Sequence, residues 1–308
     1  MAELDRLIKS LYFSAGEDDW QNFRPRALKE LCITLDALGA TWHTRSSNTL
    51  PGEFTEYPEA SGLTRHDLIS MDFPGKRELL LNPLPQRLHP KTTGAETGYI
   101  LRYAHRSGGE LISTVLLRFA KGKLSNADET YRAVGHMVEA STLALNNFIM
   151  RDDWLHSLGR NNRGAAAMID DQGAIYVASK RFRDLLTQEF GEQDHHSLPC
   201  PPPAEALAEN GGFAFGTVHF RLSKQGPLNM VYARKSVALD DLSPREQQIA
   251  RALANGKTFK TVARQYTIAI STVANHASRI YKKLGIFRRE ELVNLMQHPE
   301  KSIPTKQK

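Results

Sequence analysis

Only two of the 308 residues are cysteine, Cys32 and Cys200, which excludes a scaffold held by several disulfides and leaves no C-x-x-C pair for metal or redox chemistry. Long apolar runs are missing too: about 18 consecutive apolar residues occur nowhere, so a membrane-spanning helix is not expected. The opening stretch, MAELDRLIKSLYFSAGEDDW, holds no uninterrupted apolar core and does not read as a secretory signal, so a cytoplasmic location is the expectation. Catalytic signatures are absent as well. There is no G-x-x-x-x-G-K-[ST] phosphate loop, no H-E-x-x-H, no G-x-S-x-G and no G-x-G-x-x-G. His195-His196 and Cys200 sit around a Pro-rich loop with poor zinc spacing, and Cys32 falls on the apolar side of a helix as a packing residue. The acidic pairs Asp18-Asp19, Asp152-Asp153, Asp170-Asp171 and Asp240-Asp241 fall at element boundaries, where caps and turns account for them, and the acids of a phosphate-accepting receiver are not arranged here. An enzyme is therefore not expected. No haem, flavin, nucleotide or metal site can be assigned, so no cofactor is expected either.

What is present is positive charge, and it is concentrated. Residues 242 to 298 carry ten Lys or Arg against three acids, a net of +7, although the whole chain is formally +6. Residues 299 to 308 add a further net +2, so residues 1 to 241 stand near −3. Basicity confined to one segment favours a polyanionic partner for that segment and argues against a generally sticky protein. The length allows two to three domains.

The basic segment has clear helix punctuation. Ser243 is placed to cap a helix with Pro244 at its first position and Glu246 closing a capping box. Ile249, Ala252 and Leu253 share one face, and Asn255-Gly256 ends the helix. Thr258 can cap a short second helix that buries Val262, Ala263 and Tyr266. The turn Thr267-Ile268-Ala269 leads to a third, with the core stripe Val273, Ala277, Ile280 and Leu284, ended by Gly285. A fourth helix over 290 to 296 would close the bundle with Leu292 and Leu295. Two helices joined by a three-residue turn are the geometry that delivers a helix to the major groove, and the third helix is the expected reader.

This order of residues resembles the LuxR-type helix-turn-helix, also called NarL/FixJ-type or GerE-type. The residues that carry the likeness are Leu242 to Glu246, Gly256, Lys260, Val262-Ala263, Ser271-Thr272-Val273, Asn275-His276, Ile280 to Gly285 and Glu291-Leu292-Val293, without a gap over about 55 residues. Four positions depart from the pattern. Thr261 replaces an acid, Thr267 a turn glycine, Ala269 the Ser or Thr cap of the third helix, and Ala274 a common basic residue. The resemblance implies that Ala274, Asn275 and Ser278 lie nearest the base edges, Asn275 suited to adenine and Ala274 to a thymine methyl. It places Lys257, Lys260, Ser271, Thr272, Arg279, Lys282 and Lys283 towards phosphates, which supply affinity and register without reading sequence. His276, among core positions, is expected to be packed.

Upstream, an amphipathic helix is predicted over 26 to 38, strands over 39 to 43, 78 to 81, 99 to 105 and 111 to 119, and a long helix over 129 to 148. With the Leu124 to Glu129 entry to that helix, this order resembles a GAF-type domain, residues 1 to 148. Trp20, Phe23, Trp42, Tyr57, Phe73, Tyr99 and Tyr103 are its candidate pocket aromatics, each more readily explained as core. The long helix is expected to continue, after a break, towards Trp154, Leu155 and Leu158. Next come a buried strand over 165 to 170, the turn Asp171-Gln172-Gly173, a strand over 174 to 177, a helix capped by Ser179, and strands over 214 to 222 and 228 to 233. That arrangement resembles a PAS-type domain, residues 149 to 236. A linker at 237 to 241 leads to the helix-turn-helix domain at 242 to 298, and 299 to 308 read as a flexible tail.

The expected fold is multi-domain: α/β (α+β) GAF-like and PAS-like domains followed by an all-α four-helix domain. The expected function is a homodimeric DNA-binding transcription regulator whose N-terminal regions answer a small-molecule effector, with double-stranded DNA as partner, RNA polymerase as a further candidate and no membrane. The alternative is a ligand-sensing interaction regulator whose helix-turn-helix has lost DNA reading, which Ala269 and Ala274 favour.

Overall fold

The computed structural model describes residues 2–17, 19–46, 52–59, 63–69, 77–88, 94–105, 111–120, 126–157, 165–191 and 195–297, with 86 and 152–157 as backbone alone. The chain divides into two compact units, 1–234 and 235–308. Among the described residues no helix is long and apolar enough to cross a membrane.

The first unit opens with two helices, α1 (Ala2–Glu17) and α2 (Trp20–Thr34). The first was not foreseen. The second begins earlier than its apolar stripe suggests, because Asp19 caps it by accepting from the Gln21 N–H, and it stops short of Leu38 because Asp36 adopts a left-handed φ of 52°. Strands β1 (Gly39–Ser46), β2 (Glu53–Tyr57), β3 (Glu78–Leu81), β4 (Thr97–Ala104) and β5 (Leu111–Phe119) form an antiparallel sheet in the order β2-β1-β5-β4-β3. Helix α3 (Arg65–Ile69) lies between β2 and β3 in sequence. Strand alternation splits the side chains between two cores. Trp42, Val115, Leu117, Tyr99 and Leu101 join the helices, whereas Ile100 and Leu116 join a small cluster with Leu68 of α3 and Leu88.

Helix α4 (Ala127–Ser157) is continuous; the break expected before Trp154 does not occur in the backbone. Residues 124, 158 and Phe73 lie outside the described residues, as does the chain from 298 onwards. Strands β6 (Ala165–Ile169), β7 (Ile175–Ala178), β8 (Gly212–Phe215), β9 (Val218–Gln225) and β10 (Leu228–Lys235) make a second sheet in the order β7-β6-β10-β9-β8, the same order as the first. Residues 214 to 222, read as one strand, are two strands turned at Gly216, whose φ of +57° suits a glycine. Between β6 and β7, Asp170 accepts from the Gln172 and Ala174 N–H groups at 2.9 Å each, and Gly173 takes φ +88°. Helix α5 (Lys180–Phe190) is capped by Ser179 as expected, and α6 (Ala204–Ala208) follows.

The two sheets share one core. Ala166, Met168, Leu228 and Met230 belong to the same apolar cluster as α1, α2 and α4, while Ala167, Ile169, Val231 and Ala233 on the opposite face pack with Phe182 and Leu186 of α5. Residues 148 and 149, where the two sensor regions adjoin in the sequence reading, lie inside α4. Trp20, Phe23, Trp42 and Tyr99 are buried in the shared core and Tyr57 is half-buried against it. Cys32 is buried there too, and burial pushes its thiol up to about 12, which makes it a packing residue.

A polar chain runs through this core. The Arg24 guanidinium lies 3.7 Å over the Trp42 ring and pairs with Glu53 at 3.1 Å, their side chains 5% and 3% exposed. Arg24 also donates to the Thr44 hydroxyl at 2.9 Å, which meets Ser113 Oγ at 2.7 Å. Tyr176 of β7 donates to the Thr44 carbonyl at 3.0 Å and ties the second sheet to the first. Burial drives the Glu53 carboxyl up, and the Arg24 charge offsets part of that. Removing one member of such a pair leaves a buried charge alone, so Arg24→Met should destabilise the first unit by about 3–5 kcal/mol. Urea unfolding of the full chain measures this; a loss below about 1 kcal/mol would mean the pair is not buried as described.

Candidate nucleic-acid interface

The second unit holds α7 (Pro244–Ala254), α8 (Phe259–Tyr266), α9 (Ile270–Leu284) and α10 (Arg289–Gln297) around one apolar core of Ile249, Leu253, Val262, Val273, Ala277, Ile280, Leu284, Leu292 and Leu295. The residues preceding α7 belong to the same unit. A 3₁₀ turn at Ala238–Asp241 packs Ala238 and Leu239 on that core, with the Asp240 carboxylate accepting from the Val237 N–H at 2.8 Å.

Each helix start follows from its cap. Ser243 Oγ accepts from the Glu246 N–H at 3.3 Å, and Glu246 Oε2 accepts from the Ser243 N–H at 2.9 Å, so the capping box is complete. Thr258 Oγ1 accepts from the Thr261 N–H at 3.2 Å, and the two hydroxyls meet at 3.0 Å, so Thr261 supplies a polar partner where an acid was expected. Helix α8 ends at Thr267, whose φ and ψ of 54° and 48° are left-handed. Its β-branched side chain makes that conformation costly. Ala269 has the backbone of a cap, φ −67° and ψ 149°, with no side-chain bond to α9. Gly285, at φ 64°, ends α9 without strain.

Long-range bonds then fix the helices against one another. Lys283 Nζ contacts Glu246 Oε2 at 2.7 Å and joins the end of α9 to the start of α7. The Arg245 guanidinium lies 4.6 Å from the Tyr266 ring centre and donates to the Tyr266 carbonyl at 3.0 Å. Arg289, at the first position of α10, donates to the carbonyls of Leu253 and Lys257 at 3.0 Å each and so satisfies the end of α7. Sequence reasoning missed the roles of Arg245 and Arg289 and saw Glu246 only as a local cap; pairings 21 to 37 residues apart leave no periodic signal.

With Val273, Ala277, Ile280 and Leu284 buried, the 3.6-residue period puts Ser271, Asn275, Ser278 and Lys282 on the diametrically opposite face, and all four are exposed. Ala274 sits on one flank of that stripe. Thr272, Arg279 and Lys283 fall on the other, with His276, which is half-buried with its Nδ1 enclosed. On α8, Lys260 is exposed. Lys257, half-buried just before it, donates to the Gln265 side chain at 2.6 Å. The structure thus gathers Ser271, Asn275, Ser278 and Lys282 on one face, while Lys283 and Lys257 already have partners inside the unit. Among the described residues, no three of His, Cys, Asp or Glu gather as metal ligands.

A short helix, a left-handed turn and a longer helix with a polar outer face, within a segment (242–298) of net charge +7, define a helix-turn-helix DNA-binding domain. Residues 240–296 match the family described as bacterial regulatory proteins, luxR family, so this unit is a LuxR-type, GerE-like helix-turn-helix. The Probable HTH-type transcriptional regulator GfsR of Streptomyces halstedii is 39% identical over 59 residues, which are 19% of this chain and 24% of that protein. The chain therefore matches about a quarter of that relative's length. Among solved structures, Escherichia coli SdiA is 13% identical over 95% of this chain and 96% of its own, with a TM-score of 0.34. The N-acylhomoserine lactone dependent LuxR family factor CepR2 of Burkholderia cenocepacia is 12% identical over 49% of this chain and 98% of its own, with a TM-score of 0.31. Likeness at that level decides nothing about the first unit's fold.

Two outcomes follow for the second unit. Thr267→Gly removes left-handed strain and Ala269→Ser restores a cap, so each should stabilise it by about 1 kcal/mol. Slower amide hydrogen exchange in α8 and α9 registers the gain, and unchanged or faster exchange in both variants counts against the turn geometry. The second outcome concerns pH. The Lys283 ammonium, followed by the Ser243 N–H, lowers the Glu246 carboxyl from 4.5 to about 2. A depressed carboxyl contributes stability above its unfolded value and loses it as pH falls through its folded one. The stability gap between the native chain and Glu246→Gln should therefore be constant above pH 4.5 and close towards pH 2, as acid titration of unfolding will show. A gap independent of pH over that window contradicts the pairing.

Proposed function

We propose that the chain is a homodimeric transcription regulator in which α9 reads DNA and the first unit, a GAF-like region followed by a PAS-like one, senses a small-molecule signal. The observation that carries the DNA-reading part is the exposed polar stripe Ser271, Asn275, Ser278 and Lys282 on the second helix of a helix-turn-helix whose unit holds the chain's surplus positive charge. In this reading Asn275 and Ser278, flanked by Ala274, face base edges. Lys282, Lys260, Arg279, Ser271 and Thr272 take phosphates. Lys257 and Lys283 serve the phosphate surface secondarily, since each also holds a protein group. The repeated strand order of the two sheets supports reading the first unit as paired sensor modules. A dimer would meet half-sites about one DNA turn apart, and an effector would act by binding two arrangements of the chain unequally.

Selection of bound DNA from a random pool by the full-length protein tests this. An enriched palindrome is expected. Lys282→Ala should weaken binding across all sequences and lower the salt slope by about 1, while Asn275→Ala should relax preference at one base pair by about 1–3 kcal/mol. Changing Lys282 without Lys283 matters, because loss of Lys283 also strips Glu246 of its partner. The uncapped Ala269 and the strained Thr267 favour a second reading, an interaction module that no longer reads DNA. No enrichment, together with partner binding that is flat in salt, would select that second reading.

A further inference from the structure

We propose that the cleft between α4 and the end of β4 binds a small organic acid, an aromatic or hydrocarbon body that carries a carboxylate. This deepens the sensor part of the reading above and rests on it.

The cleft measures about 640 Å³, a size suited to a small metabolite. Among the described residues, three guanidinium groups line it, from Arg77, Arg102 and Arg132, against one acid, Glu139, so these described walls carry a net +2. Glu139 is also engaged, accepting from the Tyr12 hydroxyl at 3.2 Å. Guanidinium forks match a planar carboxylate in two-point fashion. The remaining wall is largely apolar. Tyr103 and Tyr131 stand with ring centres 4.9 Å apart and planes 32° apart, beside Ile112 and Val138. An inorganic anion would leave that surface unused; an organic acid covers it.

The wall is pre-set. The Tyr103 hydroxyl donates to the Tyr131 carbonyl, and the ring lies on Gly135, where an added Cβ would come within 3.2 Å of Tyr103 Cε1. His105 closes the inner side, bonded to Thr142 of α4 at 3.1 Å and to Ser113 at 2.8 Å. Burial pushes its imidazole down to about 4, so it stands neutral beside the arginines near pH 7 and does not repel them. Through Ser113 and Thr44 it joins the hydrogen-bonded chain that reaches Tyr176 of the second sheet. The cleft thereby lies beside a hydrogen-bonded chain that reaches both sheets and α4.

Calorimetric titration of the full-length protein tests the site with three probes at fixed ionic strength: 2-naphthoate, its uncharged amide 2-naphthamide, and inorganic phosphate. The naphthoate is expected to bind with a Kd of about 1 mM or tighter, the amide about tenfold more weakly or worse, and phosphate more weakly still. Arg77 and Arg132 are exposed, so Arg77→Gln with Arg132→Gln should leave the fold intact and weaken naphthoate binding about tenfold, whereas Glu139→Gln should strengthen it. The proposal is overturned by no naphthoate binding, by equal binding of the amide, by tighter binding of phosphate, or by affinities that neither variant changes. No DNA enters this titration. A failure here leaves DNA reading intact, and a failed DNA selection leaves this result standing.

Discussion

The C-terminal unit depends on one carboxylate. Glu246 closes the cap of α7 and accepts the ammonium of Lys283, so a single side chain joins the start of the first helix to the end of the third. Helix α9 is also held by a close-packed apolar stripe, which sets its rotation about the axis, while the ion pair pins its C-terminal end. The residues that stand opposite the buried stripe, Ser271, Asn275, Ser278 and Lys282, are thus presented by that packing together with the pair at Glu246. Arg289 performs the matching service at the other end of α7. Helix α9 is therefore fixed by its apolar stripe and by polar bonds at its neighbours and ends, while the contribution of the turn itself is reduced by Thr267 and Ala269.

The first unit is organised differently. Its two sheets are joined by a common apolar core, and the polar chain from His105 through Ser113 and Thr44 to Tyr176 is embedded in it. Buried polar chains are costly unless every member is satisfied, and satisfied ones fix a unique arrangement. Here the chain passes from α4 to β5, β1 and β7. The cleft lined by arginines opens on its first member.

Helix punctuation in the second unit was legible because caps and apolar spacing are local. Ser243, Thr258 and Gly285 stand where the structure starts or stops helices, and the core stripe of α9 was read residue for residue. The strands β3 and β5 were equally plain, and the helix capped by Ser179 was placed from its cap. What escaped was non-local. Helix α1 lacks a strong cap signal, α2 is bounded by Asp19 and the left-handed Asp36, and the split at Gly216 hides within an apolar-looking run. Lys283 looked like any basic residue at the end of a reading helix, and its partner lies 37 positions away. The arginine cleft draws on residues from 77 to 142, a grouping that only the folded chain reveals.

The shared core of the two sheets bears on how such a chain can be rearranged in evolution. A sensor module joined to its neighbour by a flexible tether can be replaced by another without disturbing what remains. Here Met168 and Met230 of the second sheet pack among residues of α1, α2 and α4, so neither half has a complete interior of its own. Exchange of one half for a foreign module would expose a wall of methionine, alanine and leucine in the other. The first unit is thus heritable as a whole, and variation in what its clefts can hold comes from substitutions on their walls while its architecture is kept.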